Sequence, residues 1–337
     1  MSLRTKFHKL PRASRALRPV KPFAVDLAIT LRDPPHSVSQ FKQLFIGGCP
    51  RSGTTLLARM LSGTPDAAVT PESQFKDILL GQATAALNRE QVALLHRHWQ
   101  RRAWNLPALR HWPWRSKNRV QFLEWLVRQH MDQPEGELLW IDHSPNNLAL
   151  QHELRLLFPE SRFLHIVRDP RAVFASVRRL DWGRSTPAAS ARWWLQRHQR
   201  ASAACSKLGQ HSLSLRFEDL VSEPEATLAE VSDWLGRPFP ISKLPALKLP
   251  RYTQKQHQLV NGAILARRAE AWQDELSERE VEIIEAIVGA ELDQLGYRRC
   301  FAEPRSPSPL ETGRAGLQEL LRRGLIDRLR RQWRRSA

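Results

Sequence analysis

Between Leu44 and Leu57 the chain reads LFIGGCPRSGTTLL: an apolar run, a glycine-bounded loop carrying Arg51, Ser52, Thr54 and Thr55, then an apolar helix start. Gly48 and Gly53 have the spacing of the nucleotide P-loop G-x-x-x-x-G-K-[ST], but Thr54 occupies the lysine position. In a nucleoside triphosphatase that lysine reaches the β- and γ-phosphates and the next hydroxyl holds Mg²⁺, so this loop is poorly equipped for a triphosphate. The N–H groups of residues 51–55, the positive end of the helix that follows, two threonine hydroxyls and the Arg51 guanidinium instead suit one phosphate carrying one more anion. An ordinary glycine turn is the common meaning of such spacing alone; the full string PRSGTT argues against it.

A second motif, RFLHIVRDPRAVFASV over residues 162–177, is an apolar strand ending at Arg168 and Asp169, then Pro170 at a helix start and Ser176 two turns on. A guanidinium at a strand end and a hydroxyl on the next helix could grip a second phosphate; taken alone, Arg168 and Asp169 read equally well as a structural ion pair. Together the two motifs resemble the 5′-phosphosulfate loop and the 3′-phosphate motif of sulfotransferases that use 3′-phosphoadenosine 5′-phosphosulfate (PAPS). The resemblance is closest to the branch holding the tyrosylprotein sulfotransferases and many bacterial sulfotransferases. It runs from about Phe45 to Tyr297 and includes TPES around Glu72, IDHSPNN from Ile141, LRFEDLVSEPEATLAEVSDWLG from Leu215 and ELSEREVEIIEAIVGAELDQLGY from Glu275.

The resemblance implies a P-loop-type, three-layer α/β fold with a central parallel sheet flanked by helices. It implies transfer of a sulfuryl group from PAPS to a hydroxyl of a carbohydrate or a protein tyrosine, leaving PAP, with no metal. Pro50, Arg51, Ser52, Gly53, Thr54 and Thr55 would hold the 5′ end of the donor, and Arg168 and Ser176 its 3′-phosphate. Thr253, within RYTQKQHQLVNGAIL, falls where the tyrosylprotein branch has a serine in the segment that closes over the nucleotide. Glu72 falls at the acceptor-facing glutamate and would be the general base, a role open to a carboxylate whose ordinary value of about 4.3 is raised by burial. Without the motif, a carboxylate at a helix N-terminus explains it as well. Arg51 would stabilise charge on the leaving phosphate. His143 departs from the pattern, standing in Asp142-His143-Ser144-Pro145 where the family has a lysine thought to stabilise the departing group. Protonated through Asp142 it could do that work, with activity falling as pH rises through its pKa; a core or capping histidine is the other reading.

These residues need a scaffold, and the hydropathy pattern supplies one. Apolar runs at 43–48, 66–70, 138–141, 162–167 and 212–217 alternate with helical patterns at 55–61, 147–157, 171–179, 188–208, 224–235 and 278–295, as in a parallel sheet covered on both faces. The domain is expected at 41–301, interrupted at 74–136 by a helical acceptor-side insertion rich in Trp99, Trp104, Trp112, Trp114 and Trp125 and in arginines such as Arg97 and Arg119. Tryptophan faces suit sugars or phenols and arginines suit acidic groups, so an acidic glycan or peptide would fit; a cap whose tryptophans are core fits the same pattern.

Of the net charge of +18, twelve units lie in residues 1–22 and 302–337. Residues 1–40 read as a largely flexible basic arm. After a Pro/Ser linker at 304–309, Leu317, Leu320, Leu321, Leu325, Leu329 and Trp333 recur at helical spacing among arginines, a basic amphipathic helix that could lie peripherally on an anionic membrane or pack on the enzyme. No apolar run reaches the roughly 18 residues of a membrane span. Cys49, Cys205 and Cys300 are few and distant, as in a reducing, cytoplasmic setting, and Cys49 in the donor loop is a candidate for alkylation. His96, His98 and His130 lack the companions of a zinc site. Two rivals remain: a nucleotide kinase, opposed by Thr54, and a non-catalytic nucleic-acid binder, opposed by charge that sits at the ends rather than on a recognition element. No nucleic-acid partner is expected, and an enzyme core should bind PAP without either end.

Overall fold

Apolar runs without polar alternation mark strands buried on both faces, and three such runs pair here at the centre of a parallel sheet whose two edge strands are less buried. The computed structural model describes residues 41–81, 87–98, 118–128, 138–240, 244–254, 257 and 259–336, all within a unit running from His36 to Ala337. The strands are β1 (Phe41–Gly48), β2 (Ala67–Thr70), β3 (Leu138–Asp142), β4 (Arg162–Val167) and β5 (Ser212–Arg216). Their order is β2-β3-β1-β4-β5, every pair parallel. β1 is central, with Leu44 in register with Ile141 of β3 on one side and Arg162 of β4 on the other.

The helices are α1 (Thr54–Leu61), α2 (Arg89–Arg97), α3 (Arg119–Arg128), α4 (Gln151–Leu157), α5 (Pro170–Val177), α6 (Pro187–Leu208), α7 (Phe217–Ser222), α8 (Pro224–Leu235), α9 (Glu278–Gln294) and α10 (Pro309–Ser336), with short turns at Arg251–Gln254 and Trp272–Glu275. Successive strand side chains point to opposite faces. Phe41, Phe45, Trp140 and Phe163 therefore join one apolar layer with Phe122 of α3 and Leu154 of α4, while Leu44, Ile46, Ile141 and Leu164 join the other with Leu57 of α1 and Leu228 of α8. A third cluster joins Val167 to Val173 of α5, Trp194 of α6 and Ile284 of α9 at the carboxyl edge of the sheet.

Three boundaries differ from the pattern expected. Residues Asn147–Leu150 form a 3-10 turn before α4, α7 follows β5 without a break, and α10 begins at Pro309 inside the anticipated linker. The last has a local cause: Ser308 N–H donates to Glu311 and Glu311 N–H to Ser308 Oγ, a reciprocal cap with proline at the first helical position.

Candidate active site

β1 reverses chain connectivity between β3 and β4, so loops after the carboxyl ends of these strands open a crevice. The first is the glycine loop. Ser52 N–H donates to the Cys49 carbonyl at 3.0 Å, and the Gly48 N–H to Pro145 O at 3.1 Å, which fixes the loop to the end of β3. Arg51 and Gly53 take left-handed backbone, φ 77° and φ 101°. Gly53 is required there twice over, since a Cβ would also stand 2.5 Å from Cδ2 of Phe217. At Arg51 the conformation costs on the order of 1 kcal/mol or more, and it is held by Arg168, whose Nη1 donates to the Arg51 carbonyl at 2.9 Å. The first-turn N–H groups of α1, beginning at Thr54, have no acceptor within the helix and carry its positive end.

Arg168, just past β4, is buried. Its Nη2 donates to Arg268 O at 2.9 Å, and its guanidinium lies 4.2 Å from the Phe217 ring centre. Burial pushes it down to about 10, which leaves it charged at neutral pH. Its neighbour does not pair with it. Asp169 caps α5 and binds Arg171 at 2.6 Å, and Arg171 binds Glu285 at 2.6 Å. The ion-pair reading of Arg168 with Asp169 therefore gives way to a guanidinium held by carbonyls. On α5, Ser176 Oγ accepts from Arg51 Nε at 3.0 Å, so this contact and that of Arg168 with the Arg51 carbonyl both join the glycine loop to the second motif.

Glu72 follows β2, and Gln74 Nε2 donates to it at 3.2 Å. Burial pushes the Glu72 carboxyl up to about 7; Asp142 adds to this, while Gln74, Lys76 and Arg51 oppose it. Behind it lies a buried ionic network. Lys76 Nζ binds Asp142 at 3.1 Å and also Asn147 Oδ1; Asp142 accepts from Ser73 Oγ and, at 2.8 Å, from Ser144 N–H. Burial works against the Asp142 charge, but Lys76, Ser144 and Ser73 hold the carboxyl down at about 2. Asn147 Nδ2 donates to the carbonyls of Ile46 and Asp142, both at 2.9 Å, tying the network to the centre of the sheet. Arg51, Thr54, Thr55, Glu72, Arg168, Ser176 and Thr253 all line one cavity of about 1250 Å³. A sequence profile of the Sulfotransferase family matches residues 42–240.

The chain belongs to the sulfotransferase family.

This sulfotransferase is similar to the nodulation protein NoeE of Sinorhizobium fredii, at 26% identity over 304 residues, 80% of this chain and 70% of NoeE. It is also similar to the protein-tyrosine sulfotransferase of Drosophila melanogaster, at 27% over 208 residues, 58% of this chain and 38% of that one. Among solved structures, the sulfotransferase domain from the Synechococcus PCC 7002 olefin synthase superposes with a TM-score of 0.56 at 23% identity, covering 79% of this chain and 98% of that domain. The sulfotransferase domain from the curacin biosynthetic pathway gives 0.54 at 19%, covering 77% and 98%. The P-loop-type α/β fold expected from the resemblance is the fold observed.

The sulfotransferase brings most of the expected site residues together. Pro50 and Gly53 also line the cavity, and Ser52, fully buried, has an Oγ with no partner among the described residues, as has Nε of Arg168. Thr253 is buried on the turn Arg251–Gln254, its Oγ1 donating to Pro250 O at 3.0 Å. His143 is buried, its Nδ1 3.5 Å from Thr55 Oγ1. Burial pushes His143 down to about 4, against Asp142, which raises it, and this direction favours the reading of a neutral core histidine over that of a titrating cation.

One other expectation is corrected. Cys49 is buried and burial raises its thiol, so it is a poor target for alkylation. Trp125 stacks on Phe122 at 5.9 Å against the apolar layer, and buried Arg119 donates to Leu79 O at 2.9 Å, so these two members of the insertion serve packing. Trp99, Trp104, Trp112, Trp114, His130 and residues 1–40 lie outside the described residues. His98, read from sequence only as lacking the companions of a zinc site, faces the cavity, as do Trp182, Trp193, Arg197, His257 and Arg268, which were not singled out. Trp193 and Arg197, four apart on α6 with the guanidinium 5.1 Å from the ring centre, had a visible helical spacing; Lys76 had none.

Proposed function

We propose that this sulfotransferase moves a sulfuryl group from PAPS to a hydroxyl of a carbohydrate or protein tyrosine, with Glu72 as general base. The observation that carries the reading is the 3.0 Å contact of Arg51 with Ser176, which sets two anion-binding motifs side by side in one cavity. Arg168 lines the cavity with an Nε that has no partner among the described residues, which fits a phosphorylated donor. The kinase alternative lacks the loop lysine, Thr54 standing in its place.

The donor, when bound, supplies the sulfuryl group: a bond forms from the acceptor oxygen to sulfur, the bond from sulfur to the bridging phosphate oxygen breaks, and the acceptor proton passes to Glu72. Arg51, the first-turn N–H groups of α1 and the Thr54 and Thr55 hydroxyls stabilise negative charge on the departing phosphate. His143, neutral, contributes as a hydrogen-bonding group behind Thr55 rather than as a fixed cation. Arg168 and Ser176 hold the 3′-phosphate, and Thr253 contributes from the segment over the nucleotide. The tyrosine acceptor is supported by the name of the Drosophila relative; the free thiols of Cys49, Cys205 and Cys300 suit a cytoplasmic setting. Calorimetric titration with PAP and ADP, with and without Mg²⁺, tests the donor: metal-independent binding of PAP that is much weaker for ADP is expected, and equal affinities would refute the assignment.

A further inference from the structure

The connection between α5 and α6, residues 178–186, walls the cavity beside Ser176, with Arg179, Leu180, Trp182 and Arg184 lining it. Both its ends are helix termini, whose outermost backbone groups find no partner within the helix. At the start of α6 the local cap fails: Thr186 makes no side-chain cap bond, and its Oγ1 has no partner among the described residues. Glu319 of α10 takes its place. Its Oε1 accepts from Ser185 N–H at 2.6 Å, Ser185 Oγ at 2.8 Å and Thr186 N–H at 3.1 Å. At the end of α5, Arg322 of the same helix donates Nη1 to the Arg178 carbonyl at 3.1 Å and Nη2 to the Leu180 carbonyl. A carboxylate thus meets a helix N-terminus and a guanidinium a helix C-terminus, the signs that the two dipoles favour.

The anchoring is specific to this face of α10. Arg279 of α9 binds Glu311 at 2.9 and 2.8 Å and so fixes the start of α10 to the enzyme body. Leu310, Leu317, Leu320 and Leu321 remain exposed, so the contact is polar and directed rather than apolar burial. Within the connection Gly183 packs directly on the end of α5, where a Cβ would stand 1.9 Å from the Val177 carbonyl oxygen.

We propose that Glu319 and Arg322 are positioning residues for the donor site: α10 clamps the α5–α6 connection and thereby sets Ser176 and the wall facing the donor's 3′-phosphate. The proposal rests on the PAPS reading above. Titration of the full-length protein with PAP and with ADP, which lacks the 3′-phosphate, separates positioning from general loss of structure. Glu319→Ala and Arg322→Ala are expected to weaken PAP binding about tenfold while ADP affinity stays within about twofold. Glu319→Gln, which keeps the accepting oxygen, recovers most of the loss. PAP affinity unchanged in both alanine variants overturns the proposal, and so does a loss shared equally by PAP and ADP. A wild-type protein with no preference for PAP overturns the donor assignment itself and the clamp's role with it. Should an alanine variant lose its cooperative thermal transition, Arg322→Lys and Ser185→Ala are read by the same affinity ratio.

Discussion

A carboxylate serves as a base when it is ionised at working pH and basic enough to take a proton, and Glu72, pushed to about 7 by burial, meets both conditions just above neutrality. Activity is expected to rise with pH through about 7 as Glu72 ionises, with no high-pH decline from His143, which is already neutral there. Glu72→Gln should lower kcat by at least about a hundredfold with PAP affinity preserved; an unchanged kcat removes Glu72 as the base. The same shift has a stability sign. Folding favours the protonated carboxyl, so its contribution is full below its unfolded value of 4.5 and is lost as pH rises through about 7. Glu72→Gln should therefore raise Tm at pH 8 and leave it unchanged at pH 4. At this scale the convergence of Arg51, Arg168 and Ser176 on one cavity was legible because the two motifs constrain residue type and spacing together. Lys76 was not, because a lysine three residues after Ser73 looks like any surface lysine until β3 delivers Asp142 beneath it.

β4 was read at its observed bounds, 162–167, because burial on both faces leaves mostly apolar side chains, Phe163, Leu164, Ile166 and Val167, with His165 among them. Turn chemistry was read less well: the cap at Ser308 and Glu311 lay in plain Pro/Ser sequence, and α7 was hidden by an uninterrupted run out of β5. Between β2 and β3 the elements meet through the Lys76 network, which holds Ser73 and with it the backbone next to Glu72. Lys76→Met should cost about 3–5 kcal/mol in urea denaturation, because it leaves Asp142 buried without its cation, whereas the double variant with Asp142→Asn should regain much of that. A single-variant cost below about 1 kcal/mol would mean that Ser73 and Ser144 suffice to hold Asp142.

For the molecule as a whole, composition alone grouped residues 1–22 and 302–337 as basic ends, and of these the structure describes residues 302–336. Leucine periodicity marked an apolar stripe on the C-terminal helix; among the described side chains the contacts with the enzyme body run through Glu311, Glu319 and Arg322, while Leu310, Leu317, Leu320 and Leu321 stay exposed. Periodicity reports which residues share a face, and it carries no information about which face meets the protein. Deletion of residues 1–40 is expected to leave PAP affinity within about twofold, and deletion of 302–337 to reduce it about tenfold; equal effects would return the C-terminal helix to the status of a solvated tail. The sheet order has a consequence for how this molecule is made. β1 emerges early, yet its partners β3 and β4 lie nearly a hundred residues or more further along, at Leu138 and Arg162. Its apolar edges must wait, unpaired, until β3 and β4 have left the ribosome, and the glycine loop that follows it cannot be fixed before Arg168 has emerged. High contact order of this kind makes folding slow and the nascent chain prone to aggregation, so yield from a heterologous host should depend more on chaperones and growth temperature than on the stability of the finished enzyme.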